Sequence, residues 1–280
     1  MQFRNFNSVA IIVALLTYAA IVRADKQQPL EAPPTDNASA SAPSRLRVLS
    51  YNIKHGRGND GKVELERAAE VINRLEPDLV ALQEIDNVVD RSGKVDQAAR
   101  LGELTDRHPA FGSFFDYQGG EYGMAILSKF PLVETKNLRL PDGAEPRTSL
   151  IVTVKPWKEL PEIVFASVHF YASEQQRLAQ AKKLLEEFAE EKRPSIIAGD
   201  FNSMPDSQVL KLFADEWAFP DKGEGRLTFA SDDPRREIDH ILFRPKDRFR
   251  IEKIDVIDEP IVSDHRPLLI DLLLVDRPTE

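Results

Sequence analysis

Ile196-Ile197-Ala198-Gly199-Asp200-Phe201-Asn202 is a short apolar run that ends in Gly-Asp-Phe-Asn, shortly after Arg193-Pro194. A run of this length and composition reads as a buried strand. Its polar residues then lie at the C-terminal end, where open α/β sheets place their ligands. On an extended backbone Asp200 and Asn202 are two apart and face the same side. An ionised carboxylate can take a proton from water, and a carboxamide can orient water or an oxyanion. The competing reading is an Asx-turn in which both side chains bond only the backbone.

Upstream, Leu46 to Ile53 reads as a strand, and His55 to Gly61 as a glycine-rich loop. Leu65, Ala68, Ala69, Ile72 and Leu75 follow helical spacing, and Pro77 stops that helix. Leu79 to Glu84 is a second strand with a carboxylate at its end. A β-α-β unit of this kind predicts parallel pairing through a right-handed crossover. Gln97 to Arg107 and Glu174 to Lys192 read as helices. Gly123–Ser128, Leu132–Leu140, Arg147–Val154 and Ile163–Phe170 read as strands. Downstream, Ser203 and Asp206 fit a capping box for a helix from Pro205 to Phe213. Arg236–Phe243, Arg250–Ile257 and Pro267–Val275 complete the strands. Parallel units mixed with hairpins predict mixed sheets covered by helices, in one α/β (α+β) domain.

The ends of the chain differ from this body. Arg4, an apolar run from Val9 to Val22 and Val22-Arg23-Ala24 form a signal-peptide pattern over residues 1–24. The chain is therefore expected to be secreted or periplasmic, or membrane-anchored if the segment is retained. Residues 25–44 are rich in Pro, Ala and Ser and read as a disordered linker, so the folded domain is expected at 45–280. After cleavage no stretch is long and apolar enough to span a bilayer. Losing Arg4 and Arg23, with no acid among residues 1–24, takes the formal charge from −9 to −11. Bulk charge of that sign argues against coating nucleic acid or anionic lipid. There are no cysteines, which excludes disulfides, thiol nucleophiles and cysteine-ligated zinc.

Strand ends and their loops supply Asn52, Glu84, Arg147, His169, Asp200, Asn202, Asp239, Asp264 and His265. Singly, each has an ordinary explanation as a turn, a cap or a satisfied core residue. Together they match one chemistry. Carboxylates and carboxamides without thiols suit a hard ion. Two histidines and an arginine suit a phosphoryl group and its leaving group.

The ordered motifs Ser50-Tyr51-Asn52-Ile53, Leu82-Gln83-Glu84, Pro146-Arg147, Ser167-Val168-His169, Gly199-Asp200-Phe201-Asn202, Ile238-Asp239-His240 and Ser263-Asp264-His265-Arg266-Pro267 carry a resemblance. In these the chain resembles the endonuclease/exonuclease/phosphatase superfamily. At His169 it is similar to the deoxyribonuclease and sphingomyelinase type. The resemblance implies a four-layer α/β sandwich, two mixed sheets face to face with helices outside. It implies Glu84 as the main Mg²⁺ ligand, with Asn52 and Asp264 nearby and Mn²⁺ as a substitute. It implies that Asp200 handles the attacking water with Asn202, and that His265, held by Asp239, serves a phosphoryl oxygen. His169 would stabilise developing charge, and Arg147, Asn202 and His169 would bind substrate. The split of acid and base between Asp200 and the histidines stays open. His55-Gly56-Arg57-Gly58 and Asp90-Arg91-Ser92-Gly93 are candidate substrate loops. The expected function is a monomeric Mg²⁺-dependent phosphodiesterase on a small or lipid head-group diester or on nucleic acid. The alternatives are a phosphomonoesterase on inositol- or sugar-phosphates, a deoxyribonuclease-like endonuclease, and an inactive binding module.

Overall fold

Apolar runs broken by Pro, Gly and Asp turns give this chain many short strands and few helices. The computed structural model describes residues 44–141, 143–171 and 173–275. The expected signal peptide and the linker up to residue 43 lie outside these described residues. In chain order the elements are β1 (Ser44–Asn52), α1 (Leu65–Leu75), β2 (Leu79–Asn87), α2 (Gln97–Thr105), β3 (His108–Tyr117), β4 (Gly120–Ser128), β5 (Leu132–Arg139), β6 (Thr148–Val154), β7 (Ile163–His169), α3 (Glu174–Phe188), β8 (Ser195–Asp200), α4 (Gln208–Lys211), β9 (Asp239–Arg244), β10 (Phe249–Val256) and β11 (Leu268–Leu274).

One sheet runs β10-β11-β1-β2-β4-β3, and the other runs β5-β6-β7-β8-β9. The pairs β1–β2 and β7–β8 are parallel, and the rest are antiparallel. Both sheets are therefore mixed. Their inner faces meet in a layer containing Val48, Ala81 and Ile270 from one sheet and Leu150, Phe165 and Ile196 from the other. Fully burying each large apolar side chain contributes about 1.5–3 kcal/mol, so this doubly covered layer dominates stability. Leu65, Ala68, Ala69 and Ile72 of α1 cover the outside of the first sheet together with Leu101 of α2. Ala181, Leu184 and Phe188 of α3 cover the outside of the second, with Val209 and Trp217. The result is a four-layer α/β sandwich.

The sequence pattern misses β3, whose Pro109 and Gly112 read as breakers. An edge strand tolerates them because one side of its backbone need not pair. The helix expected to reach Lys192 stops at Phe188. The Arg244 guanidinium takes the carbonyls of Phe188 and Glu191, the latter at 3.0 Å, which ends the turn. The capping box at Ser203 and Asp206 is not formed. Ser207 caps the short α4 instead, its hydroxyl accepting from the Leu210 amide at 3.3 Å. Gly199 matters for the site that follows. A Cβ there would lie 2.0 Å from the Val168 carbonyl oxygen, so only glycine lets β7 and β8 close up. That pairing sets His169 directly beside Asp200.

Candidate active site

Four strand ends, a bulge within a fifth strand and one turn converge where the two sheets meet. The first sheet brings Asn52 at the end of β1 and Glu84 within β2. The second brings His169, Asp200 and Asp239 from the adjoining ends of β7, β8 and β9. The turn before β11 adds Ser263, Asp264 and His265. Glu84 sits at a bulge: the β2–β4 register shifts between Gln83 and Ile85, and Glu84 has φ +59. A bulge re-aims a side chain that regular pleating would send elsewhere. Gln83, fully buried, ties the sheets together by donating from Nε2 to Ser167 Oγ at 3.2 Å.

Asn52 is the hub. Its Nδ2 lies 3.1 Å from Glu84 Oε1, 3.4 Å from Asp200 Oδ2 and 3.5 Å from His265 Nε2. His265 Nδ1 donates to Asp239 Oδ2 at 2.9 Å. Its Nε2 is 3.6 Å from Asp200 Oδ2, a charge contact just outside hydrogen-bond length. His169 Nε2 stands 3.5 Å from the same Asp200 oxygen. Asp264 is reached by Lys54, whose Nζ donates to its Oδ2 at 2.6 Å. Ser263 Oγ donates to the Asn52 carbonyl at 2.7 Å and so clips the turn onto β1.

Burial sets the charges. It pushes the Asp200 carboxyl up to about 7, against the pull of His265 and with the push of Asp239. Burial alone would lower His265, but Asp239 and Asp200 outweigh it and hold the imidazole up at about 10. His169 goes the other way, lowered far below the usual range by burial, by the Arg147 guanidinium and by His265. The two imidazoles flanking Asp200 are therefore one cationic and one neutral.

Glu84 is raised by burial, only partly offset by the Asn52 amide, and raised further by Asp264. Two acidic side chains near enough to feel each other's charge, offering oxygen donors, fit a hard divalent ion. Glu84 and Asp264, with Asn52 between Glu84 and the acid–base residues, could hold such an ion. A second group, Asp200, Asp239 and His265, brings ligand-type atoms within 4.8 Å of one another. There the imidazole Nδ1 is already committed to Asp239, so the trio is better suited to moving protons.

Arg147 is 5% exposed and lies over the rings of Phe114 and Tyr171, at 4.8 and 5.3 Å. Its Nη1 pairs with Glu145 at 2.9 Å, while its buried Nε has no partner among the described residues. Asn202 does not face the site from an extended strand. β8 ends at Asp200, and Asn202 adopts φ +49. Its amide N–H donates to Asp200 Oδ1 at 2.7 Å, and its Nδ2 donates to the Phe170 carbonyl at 2.9 Å. The Asx-turn therefore forms, but it accounts for only one Asp200 oxygen; the other faces the Asn52, His169 and His265 side chains. Gln97 ties the first candidate substrate loop to β2, donating to the His55 carbonyl at 2.8 Å and accepting the Asp86 amide at 2.9 Å. Arg91 is held bidentately by Asp86 at 2.9 and 2.8 Å and lies over Tyr117 and Tyr122. Lys54 and the aromatic bed of Arg147 went unread in the sequence. Lys54 stood two residues after Asn52, just before the expected loop, and that closeness was its only signal.

A family model described as the Endonuclease/Exonuclease/phosphatase family matches residues 49–265. An uncharacterized protein of Escherichia coli K12, YbhP, is 26% identical over 244 residues, covering 82% of this chain and 96% of its own. A crystal structure of an endonuclease/exonuclease/phosphatase from Beutenbergia cavernae DSM 12333 is 25% identical, with TM-score 0.70, covering 84% of this chain and 73% of that one. A mannosyl-6-phosphatase of Bacteroides thetaiotaomicron VPI-5482 superposes with TM-score 0.67 at 20% identity, covering 82% of this chain and all (100%) of that one.

Proposed function

The chain belongs to the endonuclease/exonuclease/phosphatase family, whose members are hydrolases of phosphate esters, and from that premise we propose that it is a Mg²⁺-dependent phosphodiesterase. The observation that carries the reading is the convergence on the Asn52 carboxamide of Glu84 Oε1, Asp200 Oδ2 and the His265 ring, the last held by Asp239. Glu84, with Asn52 and Asp264 beside it, would hold Mg²⁺, which would supply positive charge against a phosphoryl oxygen. Asp200, one oxygen fixed by the Asn202 amide, accepts the proton of the attacking water. Cationic His265, oriented by Asp239, donates to a phosphoryl oxygen as charge builds there. His169, kept neutral, lines the other side of Asp200 and donates one N–H without competing for its charge. Arg147 on its aromatic bed offers its guanidinium to a non-bridging oxygen.

The N-terminal segment supports export: cleavage after Ala24 would release a periplasmic or secreted monomer with a folded domain from residue 45. A mature N-terminus other than Asp25 in the exported protein would revise this.

The activity test is direct. Hydrolysis of bis-p-nitrophenyl phosphate is expected with Mg²⁺ and not with a chelator. Faster turnover of p-nitrophenyl phosphate would assign a phosphomonoesterase, and no hydrolysis of either would reduce the chain to a binding module.

A further inference from the structure

We propose that Lys54 is a built-in, displaceable counter-ion of the metal position, which weakens divalent binding and so sets its affinity. The inference rests on the reading of Glu84 and Asp264 as the metal position.

The backbone is bent to deliver this lysine. Lys54 and His55 have φ +49 and +47, consecutive non-glycine residues in the left-handed region. Such geometry costs about 1–2 kcal/mol per residue and persists only where something else fixes it. Here the Lys54 amide donates to Asn52 Oδ1 at 3.1 Å, the Gly56 amide closes the turn onto the Ile53 carbonyl at 2.9 Å, and Gln97 holds the His55 carbonyl. The ammonium then reaches Asp264 Oδ2 at 2.6 Å. Asp264 is held in place from the other side, because Ser263 is tied to the Asn52 carbonyl. A single residue, Asn52, thus orients the lysine through its Oδ1, the turn through its carbonyl and Glu84 through its Nδ2.

The pair is built to be given up. The side chains of Lys54 and Asp264 are 35% and 23% exposed, so solvent screens their attraction and the contact is weak. A divalent ion shared between Asp264 and Glu84 gains more than the lysine does. Without metal, the ammonium partners the Asp264 carboxylate. With metal, the same ammonium must leave Asp264 but stays on its short tether, close enough to repel the ion. The sign follows: removing the charge should tighten Mg²⁺ binding and should destabilise the metal-free protein.

The test is calorimetric titration of the metal-free full chain with MgCl₂, alongside melting curves in chelator and in Mg²⁺. Lys54→Met is expected to lower the Kd about tenfold, the scale of one screened unit charge. It should also lower Tm in chelator and enlarge the Mg²⁺-induced rise. Lys54→Arg, which keeps the charge, should bind Mg²⁺ within about twofold of the unaltered protein. If Lys54→Met does not fold, Lys54→Gln carries the same expectation. An unchanged or weaker affinity in the uncharged variants, with binding still abolished by Glu84→Gln, overturns the role of Lys54 alone. Binding unaffected by Glu84→Gln, or no Mg²⁺ binding at all, overturns the metal position and this proposal with it.

Discussion

Glu84 shows how one residue's chemistry depends on its backbone. The bulge turns its carboxylate into the site, and burial beside Asp264 leaves it wanting a cation. Glu84→Gln keeps the shape and removes the charge. Its rate at limiting Mg²⁺ should fall by about 10²-fold or more, the scale of a charge-stabilising group. Unchanged activity there would remove Glu84 from the site. Asp239 and His265 make a different kind of pair, joined at 2.9 Å with both side chains buried. Asp239→Asn should lower the rate strongly, and His265→Ala should cost no more when added to it, because the two act as a unit. A double variant showing the product of the two single losses would separate them.

At the scale of elements, the strands that carry the site were legible, and their ends were less so. Apolar runs of β1, β2, β7 and β8 announce themselves, because strands buried on both faces need continuous hydrophobicity. Terminal Asn52, His169 and Asp200 were readable as strand-end residues, whereas Glu84, expected to end β2, lies inside a strand that runs on to Asn87. The turn of Asn202 into the left-handed region, the Glu84 bulge and the swing of Lys54 were not readable. Each is completed by a partner far along the chain: Phe170 for Asn202, β4 for Glu84 and, for the Lys54 ammonium once Asn52 has bent its backbone, Asp264. Edge strand β3 was hidden for the same reason, since only its neighbour β4 makes a strand of it. Long-range pairing also stabilises β11, where Asp271 is 1% exposed and is held by Arg45 and by Arg47, the latter at 2.7 Å. Burial would raise the Asp271 carboxyl, but the bonds from Arg47 and Arg45 outweigh it and hold it below its ordinary value. A depressed carboxylate contributes stability above its unfolded pKa, and that stability is lost as pH falls through the folded value. Asp271→Asn should therefore cost about 2 kcal/mol near neutral pH, leaving two guanidinium groups short of a partner. The difference from the unaltered protein should shrink below about pH 4. A urea-unfolding gap that stays constant down to pH 2 would rule out this account.

The whole molecule constrains the substrate. A formal charge of −9, or −11 after loss of residues 1–24, repels a polyanion at long range. Local cations would have to compensate, and the arginines of the motif loops are mostly spent. Arg91 is paired to Asp86 and Arg266 to Asp258, while Arg147, which also pairs with Glu145, is the one assigned to the scissile phosphate. Arg57 is exposed and forms no ion pair among the described residues. Each phosphate contact on a duplex adds close to one unit to the salt slope, and a gripped duplex needs many. The site therefore offers charge for one or two phosphates. The preferred substrate should be a small or lipid head-group phosphodiester rather than duplex DNA. Plasmid DNA and a set of small diesters, assayed side by side at ~0.15 M salt, decide the point, since long-range charge is then screened within ~8 Å. The small diesters should give the higher kcat/KM, and their rates should change little between low and physiological salt. Rapid plasmid nicking, with kcat/KM well above every small diester, would overturn this preference and make the protein a nuclease.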